Sequence, residues 1–542
     1  MKKSTVVLCL FTSLCAYLTK KYGFNVIYAQ FITIKIKNTL AILGELKYNK
    51  IKRKKDGPQM DGLKKKYGLF TAICMVVGIV IGSGIFFKSQ DVLKAANGNA
   101  LYSILAWIIS GFIMVVIATS FGVLATKYEK VNGVVDYAEA TCGKRYAFFV
   151  GWFLSLIYYP AMTSVLAWVS ARYTLVVFGY IEAPLFALGA VGNSSLNSPE
   201  CIALAVFYLV LAYFVNTIAP KIAGKFQISS TAVKLIPIAF IAIVGTIVGL
   251  ANGTLVENFT VSADSFAATD GTATGLFPAI CGTIFAYEGW IVATAINAEI
   301  KDSKKNLPIA LCLGTLVIVV AYTLYNLGIL GLADMSEITD KGTTVAFKFF
   351  GGAIAAIINV LVVISCLGTL NGLMLGCCRG IYSLSARGEG ISPETFRQID
   401  KKTNMPHNSA VFALLTCAVW FLYFIIAGAG FMNGDVQGEV WNVVNEYGFD
   451  SSELPIITIY PMYVPILVIM MIKEKDLHPF KRFVLPTLSI IGVGVIVAAS
   501  IIKHRMDNVW YLIVFAFVMA IGAVVYYFNT KNAARDKVEN DS

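Results

Sequence analysis

Gly78-Ile79-Val80-Ile81-Gly82-Ser83-Gly84-Ile85-Phe86 interrupts an apolar run from about Leu69 to Phe87, a run long enough to cross a bilayer. Glycine in a helix interior costs about 1 kcal/mol against alanine, so glycines and a serine clustered at the midpoint argue against a continuous helix. The pattern predicts a helix broken inside the membrane. Such a break survives only where open backbone lines a cavity or is buried in protein. The freed N–H groups of Gly82, Ser83, Gly84 and Ile85 would start a second half-helix and favour an anion. The carbonyls just before them suit a cation. A carboxylate receptor beside an ammonium receptor describes a site for an amino acid. A glycine-rich packing face between helices is the alternative reading of the same residues.

The rest of the chain places this stretch. Its 542 residues are 57% hydrophobic and 14% charged, with a mean hydropathy of +0.72. A soluble protein of this length needs far more charge to cover its surface, so the composition is that of a polytopic membrane protein embedded in lipid. A net charge of +12 would point to nucleic acid in a soluble chain. Here the basic residues fall in alternate loops, topology accounts for them, and no nucleic-acid partner is expected. Cys74, Cys281, Cys312, Cys366, Cys377, Cys378 and Cys417 lie in apolar runs without Cys-x-x-Cys or Cys/His spacing, the distribution of small buried hydrophobes. His407, His478 and His504 fall in or beside loops. No metal site and no cofactor is expected.

Length and apolarity mark about twelve spans: 69–94 (broken), 101–125, 147–176, 201–219, 228–250, 276–299 (broken), 309–332, 352–385, 408–428, 454–472, 483–502 and 508–529. Loops of one parity carry Lys64 to Lys66, then Lys127, Lys130, Lys144 and Arg145, and later Arg387, Arg397, Lys473 and Lys481. In the other parity, residues 177–200, 251–275 and 429–453 contain no lysine or arginine. This positive-inside pattern predicts both termini on the cytoplasmic side. Phe285-Ala286-Tyr287-Glu288-Gly289-Trp290 repeats in the sixth span the peculiarity of the first, with an acid and a glycine in mid-membrane. Two broken spans, five apart and oppositely directed, mark an inverted repeat with the site between the breaks. The expected fold is an all-α membrane protein of about twelve transmembrane helices with a 5+5 inverted repeat, helices 1 and 6 broken at the midplane.

At these residues a family comes into view. Gly82-Ser83-Gly84-Ile85-Phe86 and Phe285-Ala286-Tyr287-Glu288-Gly289-Trp290 resemble the amino acid–polyamine–organocation (APC) superfamily, whose fold is LeuT-like. Lys301-Asp302-Ser303-Lys304-Lys305-Asn306-Leu307-Pro308 is similar to its basic turn after span 6. Leu370-Asn371-Gly372 and Arg379 to Arg387 resemble its span 8 and the loop beyond. The nearest subgroup is the L-type-like amino acid transporters and exchangers, and the resemblance runs from about Leu63 to Phe528. Residues 60–529 are therefore read as the transporter domain and 530–542 as a short cytoplasmic tail. Residues 1–59 are read as an extension. Lys2-Lys3 and Ser4 to Thr19 have the layout of a signal peptide without its cleavage site, and Met60 opens an ordinary permease start.

The resemblance implies that a substrate α-carboxylate meets Gly82, Ser83, Gly84 and Ile85. The α-ammonium would meet carbonyls near Val80 and Ile81 and near Phe285, Ala286 and Glu288. Phe285 matches the aromatic gate over the outer side. Lys234, alone in the apolar Ile228–Val248 run, resembles the span 5 lysine of sodium-independent members. It is too deep to snorkel easily and is expected to face the bundle interior, coupling span 5 to span 1 carbonyls and to Ser365 or Thr369. Glu288 stands where many L-type-like members have glycine. It reads as a counter-charge for a cationic amino acid, as a proton-coupling carboxylate, or as an acid bonded to its own broken helix. Tyr128 to Glu139 is amphipathic and reads as an interfacial gate helix, and Glu299 as an inner-gate charge. The family's disulfide-linked heavy chain is not expected, because residues 177–200 hold no cysteine.

The function implied is sodium-independent amino acid transport by alternating access, as exchanger or proton-coupled permease, in a bacterial plasma membrane, with cationic amino acids the favoured substrates and a neutral amino acid permease of the same fold the alternative. A channel would need a continuous polar lining, and a sensor would need a signalling module that the short tails do not supply. An enzyme would need a Ser/His, metal or phosphate-loop constellation, and no span carries one.

Overall fold

The computed structural model describes residues 68–82, 84–128, 133–180, 199–264, 274–294, 300–432 and 448–541. All belong to the second of two compact units, Lys64–Ser542. The 1–59 extension, Ser83 and Glu299 lie outside the described residues.

Long apolar runs with their backbone polar groups paired internally can only be helices in lipid, and the described residues form helices joined by turns. Among the described residues, ten helices are long and apolar enough to span, eleven when Leu69–Val80 and Gly84–Ala95, bent by 47°, count as one. In chain order, span 1 is that pair. Then come span 2 (Ala100–Lys127), span 3 (Lys144–Phe178), span 4 (Pro199–Ile218) and span 5 (Pro220–Asn252). The sixth segment is a shorter apolar helix, Leu276–Tyr287, followed after Glu288 and Gly289 by Trp290–Thr294. Spans 7 (Ser303–Leu332), 8 (Gly352–Ser385), 9 (His407–Ala427), 10 (Leu454–Lys473), 11 (Phe480–His504) and 12 (Asp507–Lys531) complete the order. Exposed side chains such as Ile243, Ile247, Leu415, Val419 and Phe517 are apolar, as a lipid-facing surface requires.

Water drives no helix association inside lipid, so close backbone approach and polar links must do it. Gly245 and Gly249 of span 5 lie against Gly328 and Gly331 of span 7, where any added Cβ would strike backbone. The Asn216 amide donates to Asn371 Oδ1 at 2.9 Å, and Asn371 donates to Ala223 O at 3.2 Å. The Leu-Asn-Gly stretch thus ties span 8 to span 4 and the start of span 5. Within span 5, Pro237 withholds an N–H, and a π turn follows at Ile241–Gly245.

The expected interfacial helix begins later than its amphipathic pattern, at Val134, after Gly133 with φ 55°. Its Asp136 pairs with Arg387, and its Glu139 lies 3.1 Å from the same guanidinium. Lys473 of span 10 donates to Thr141 O, near the C-terminal end of this helix, at 2.6 Å, where a cation suits the helix dipole. Residues from the helix, span 8's loop and span 10 are thereby locked together on the lysine-rich face.

Candidate functional site

A helix break leaves carbonyls whose i+4 donors have been carried away. In span 1 these are the carbonyls of Gly78, Val80 and Ile81, because the helix stops at Val80 and restarts at Gly84. Each is met by a side chain from another span. Lys234 Nζ donates to Gly78 O at 2.6 Å and to Thr369 Oγ1 at 2.9 Å. Tyr322 Oη lies 3.2 Å from Val80 O and 3.1 Å from Ala286 O, so one hydroxyl spans both breaks. Thr369 Oγ1 reaches Ile81 O at 3.4 Å and Ser365 O at 3.3 Å. Lys234 is wholly buried. Among the described residues, the buried Ser365 hydroxyl has no hydrogen-bond partner. Of the two span 8 candidates for Lys234, Thr369 is the one that meets it.

The two breaks cross. Gly84, first residue of the second half-helix, lies so close to Ala286 that a Cβ there would strike its backbone, and Gly289 lies against Ile79. Gly289 has φ 108°, a conformation closed to other residues without strain, so the glycine after Glu288 is what allows the turn. Val80, Ile81, Gly82, Gly84, Ile85, Phe285, Ala286 and Glu288 are all buried. The start of Gly84–Ala95 and the end of Leu69–Val80 both lie at this crossing.

Glu288 is held from two other spans. Tyr158 of span 3 donates to Oε1 at 2.6 Å and Tyr460 of span 10 donates to Oε2 at 2.8 Å. Tyr158 sits in a π turn, Leu154–Tyr158. Among the three sequence readings of Glu288, none anticipated two phenols from distant spans. Phe285 packs edge-on to Phe87 at 6.3 Å, with Lys88 Nζ 5.5 Å from its ring. Tyr322, Tyr158 and Tyr460 carried no sequence signal beyond being tyrosines in apolar runs, which more often means core or interface than site.

The family model described as "amino acid permease" matches residues 67–526. The serine/threonine exchanger SteT of Bacillus subtilis (strain 168) is 28% identical over 82% of this chain and 93% of its own. The b(0,+)-type amino acid transporter 1 of Mus musculus is 24% identical over 86% of this chain and 88% of its own. The large neutral amino acids transporter small subunit 2 of Homo sapiens is 29% identical over 68% of this chain and 67% of its own. The crystal structure of MhsT in complex with L-phenylalanine shares the fold, with a TM-score of 0.53 and 15% identity over 80% of this chain and 100% of that one.

Proposed function

This chain belongs to the amino acid permease family, and from that premise we propose a sodium-independent amino acid transporter that works by alternating access around the crossed breaks. Amino acid transport is the family's activity. The sodium independence is our reading, and the observation that carries it is Lys234. Its Nζ caps Gly78 O and Thr369 Oγ1, the place where a coupling ion would otherwise neutralise the carbonyl end of a half-helix. Uptake into proteoliposomes should persist unchanged when choline replaces sodium. Collapse of uptake in choline would overturn the reading. The loop charges support cytoplasmic termini, and a bacterial exchanger among the relatives supports a bacterial plasma membrane.

The substrate is a free α-amino acid. Half-helix N–H groups favour its carboxylate and the carbonyls of Val80 and Ala286 favour its ammonium. Methyl esters and N-acetyl derivatives of the best substrate should compete at least about tenfold more weakly, since each loses one charged contact worth 1.4 kcal/mol or more. Equal competition by either derivative would sink this site.

Glu288 decides the class of side chain. A bare carboxylate about 4 Å from a cationic side chain offers on the order of 4 kcal/mol at an effective dielectric near 20, before desolvation is subtracted. Both oxygens of Glu288 are already taken by phenols. That supports neutral substrates over cationic ones, and a role for Glu288 in joining span 6 to spans 3 and 10. Lysine and arginine should compete poorly in the wild type. Glu288→Gln should weaken all neutral substrates alike, because an amide can accept from one tyrosine but not both. Preferential loss of lysine and arginine in the variant would restore the counter-charge reading.

A further inference from the structure

No Cys-x-x-Cys spacing marks the spans, yet the fold sets two of their thiols in contact. Cys377 of span 8 and Cys417 of span 9 are both buried. They lie 40 residues apart in sequence, and their Sγ atoms are 3.7 Å apart, the separation of unbonded sulfurs in van der Waals contact. Thr163 of span 3 completes the group. Its Oγ1 lies 3.1 Å from Cys377 Sγ and donates to Tyr159 O at 2.7 Å. A hydroxyl has one proton to give. With that proton on Tyr159 O, the Cys377 thiol donates to Thr163, and the Cys417 thiol donates to Cys377.

Close packing on either side keeps the sulfurs facing each other. Ser164 Oγ, on the next residue of span 3, lies 2.8 Å from Cys417 O. A Cβ added to Gly376 would stand 3.1 Å from the Tyr159 ring, so span 8 sits tightly on span 3 beside the pair. A buried cysteine by itself packs as a small hydrophobe. Two in contact can also exchange their S–H bonds for one S–S bond. Charged oxidants stay in water, whereas hydrogen peroxide, small and uncharged, can reach a thiol inside a span.

We propose that Cys377 and Cys417 form an oxidisable dithiol, with a peroxide as the oxidant, and that their disulfide staples span 8 to span 9. A thiolate at Cys377 accepts hydrogen bonds from both Thr163 and Cys417, so Cys377 is the sulfur that attacks. It breaks the O–O bond and becomes a sulfenic acid, and its proton leaves in the first water. Cys417 then attacks the sulfenic sulfur. The S–S bond forms, the S–OH bond breaks, and the hydroxyl leaves as the second water with the Cys417 proton. Two thiols lose two electrons in all, and one peroxide is reduced to two waters. The staple closes a loop of 40 residues and stabilises mainly by restricting the unfolded chain. The dithiol is separate from the crossed breaks and does not depend on what the chain carries.

The purified full-length protein in detergent is treated with hydrogen peroxide and denatured, and its remaining thiols are blocked with N-ethylmaleimide before digestion. Mass spectrometry should find the span 8 and span 9 peptides joined, lighter by two hydrogen atoms than their sum, and parted again by dithiothreitol. Cys366 and Cys378 share the span 8 stretch with Cys377, so variants locate the bond. The link should persist in Cys378→Ser and vanish in Cys377→Ser and in Cys417→Ser. Fragment ions of the wild-type link give the same assignment where a variant does not fold. The apparent unfolding temperature should rise on oxidation by at least about 2 °C in wild type and not in Cys417→Ser. A link that survives Cys377→Ser, both thiols still free after peroxide, or Cys377 carried to the sulfinic acid without a link overturns the dithiol. A linked protein that melts no higher than the reduced one overturns the staple.

Discussion

A Lys234→Met carrier should bind substrate within about threefold of wild type and turn over at least about tenfold more slowly. Lys234 donates to Gly78 O at 2.6 Å and Thr369 Oγ1 at 2.9 Å. Hydrogen bonds from a charged donor contribute about 1.5–3 kcal/mol each. Methionine keeps the length of the side chain but leaves an orphan carbonyl and a hydroxyl oxygen bare. The carbonyls proposed above for the substrate ammonium, Val80 and Ala286, lie against Tyr322 instead, so affinity should move little. What is lost is the tie that makes spans 5, 8 and 1 move as a set. Substrate binding to the purified protein and initial rates of counterflow separate the two quantities. Equal losses in affinity and turnover would place Lys234 in the binding site and remove its coupling role.

Glu453→Gln should destabilise the folded protein more than any other single change considered. It leaves the Lys88 and Lys503 ammonium groups beside His504 around a residue that is 1% exposed. Removing one partner of a buried ion pair costs about 3–5 kcal/mol, mostly the penalty of the charge left unpaired. The apparent unfolding temperature in detergent should fall by several degrees. Lys88→Met combined with Glu453→Gln should melt above the sum of the single effects, because the double variant buries one stranded charge fewer. An unshifted melting curve for Glu453→Gln would mean that water already solvates the cluster, against the burial seen here.

Membrane residence, helical architecture and the position of the two breaks were legible in the sequence because each follows from local rules. Lipid demands that backbone groups pair within a segment, so an apolar run of sufficient length is a helix wherever it packs. Gly82, Gly84 and Gly289 weaken a helix by their own conformational freedom, with no need of neighbours. Lys234 stood out because a lysine deep in a span needs an interior partner, whatever that partner is. The identity of the partner was another matter. Thr369 rather than the Ser365 hydroxyl meets it, since only the packed angle between spans 5 and 8 selects one of two residues a turn apart. Glu288 shows the same division: its chemistry was plain, and its partners were not. Tyr158 and Tyr460 are 130 and 172 residues away, and no periodicity links them to span 6. Lys88 and Glu453 lie 365 residues apart, and no local pattern pairs them. The sequence alone determined which backbone groups would be left open in the membrane, because that depends on residues adjacent in the chain. Only the tertiary structure decided which side chains close them and which charges meet, because those contacts come from helices brought together across the whole length of the protein.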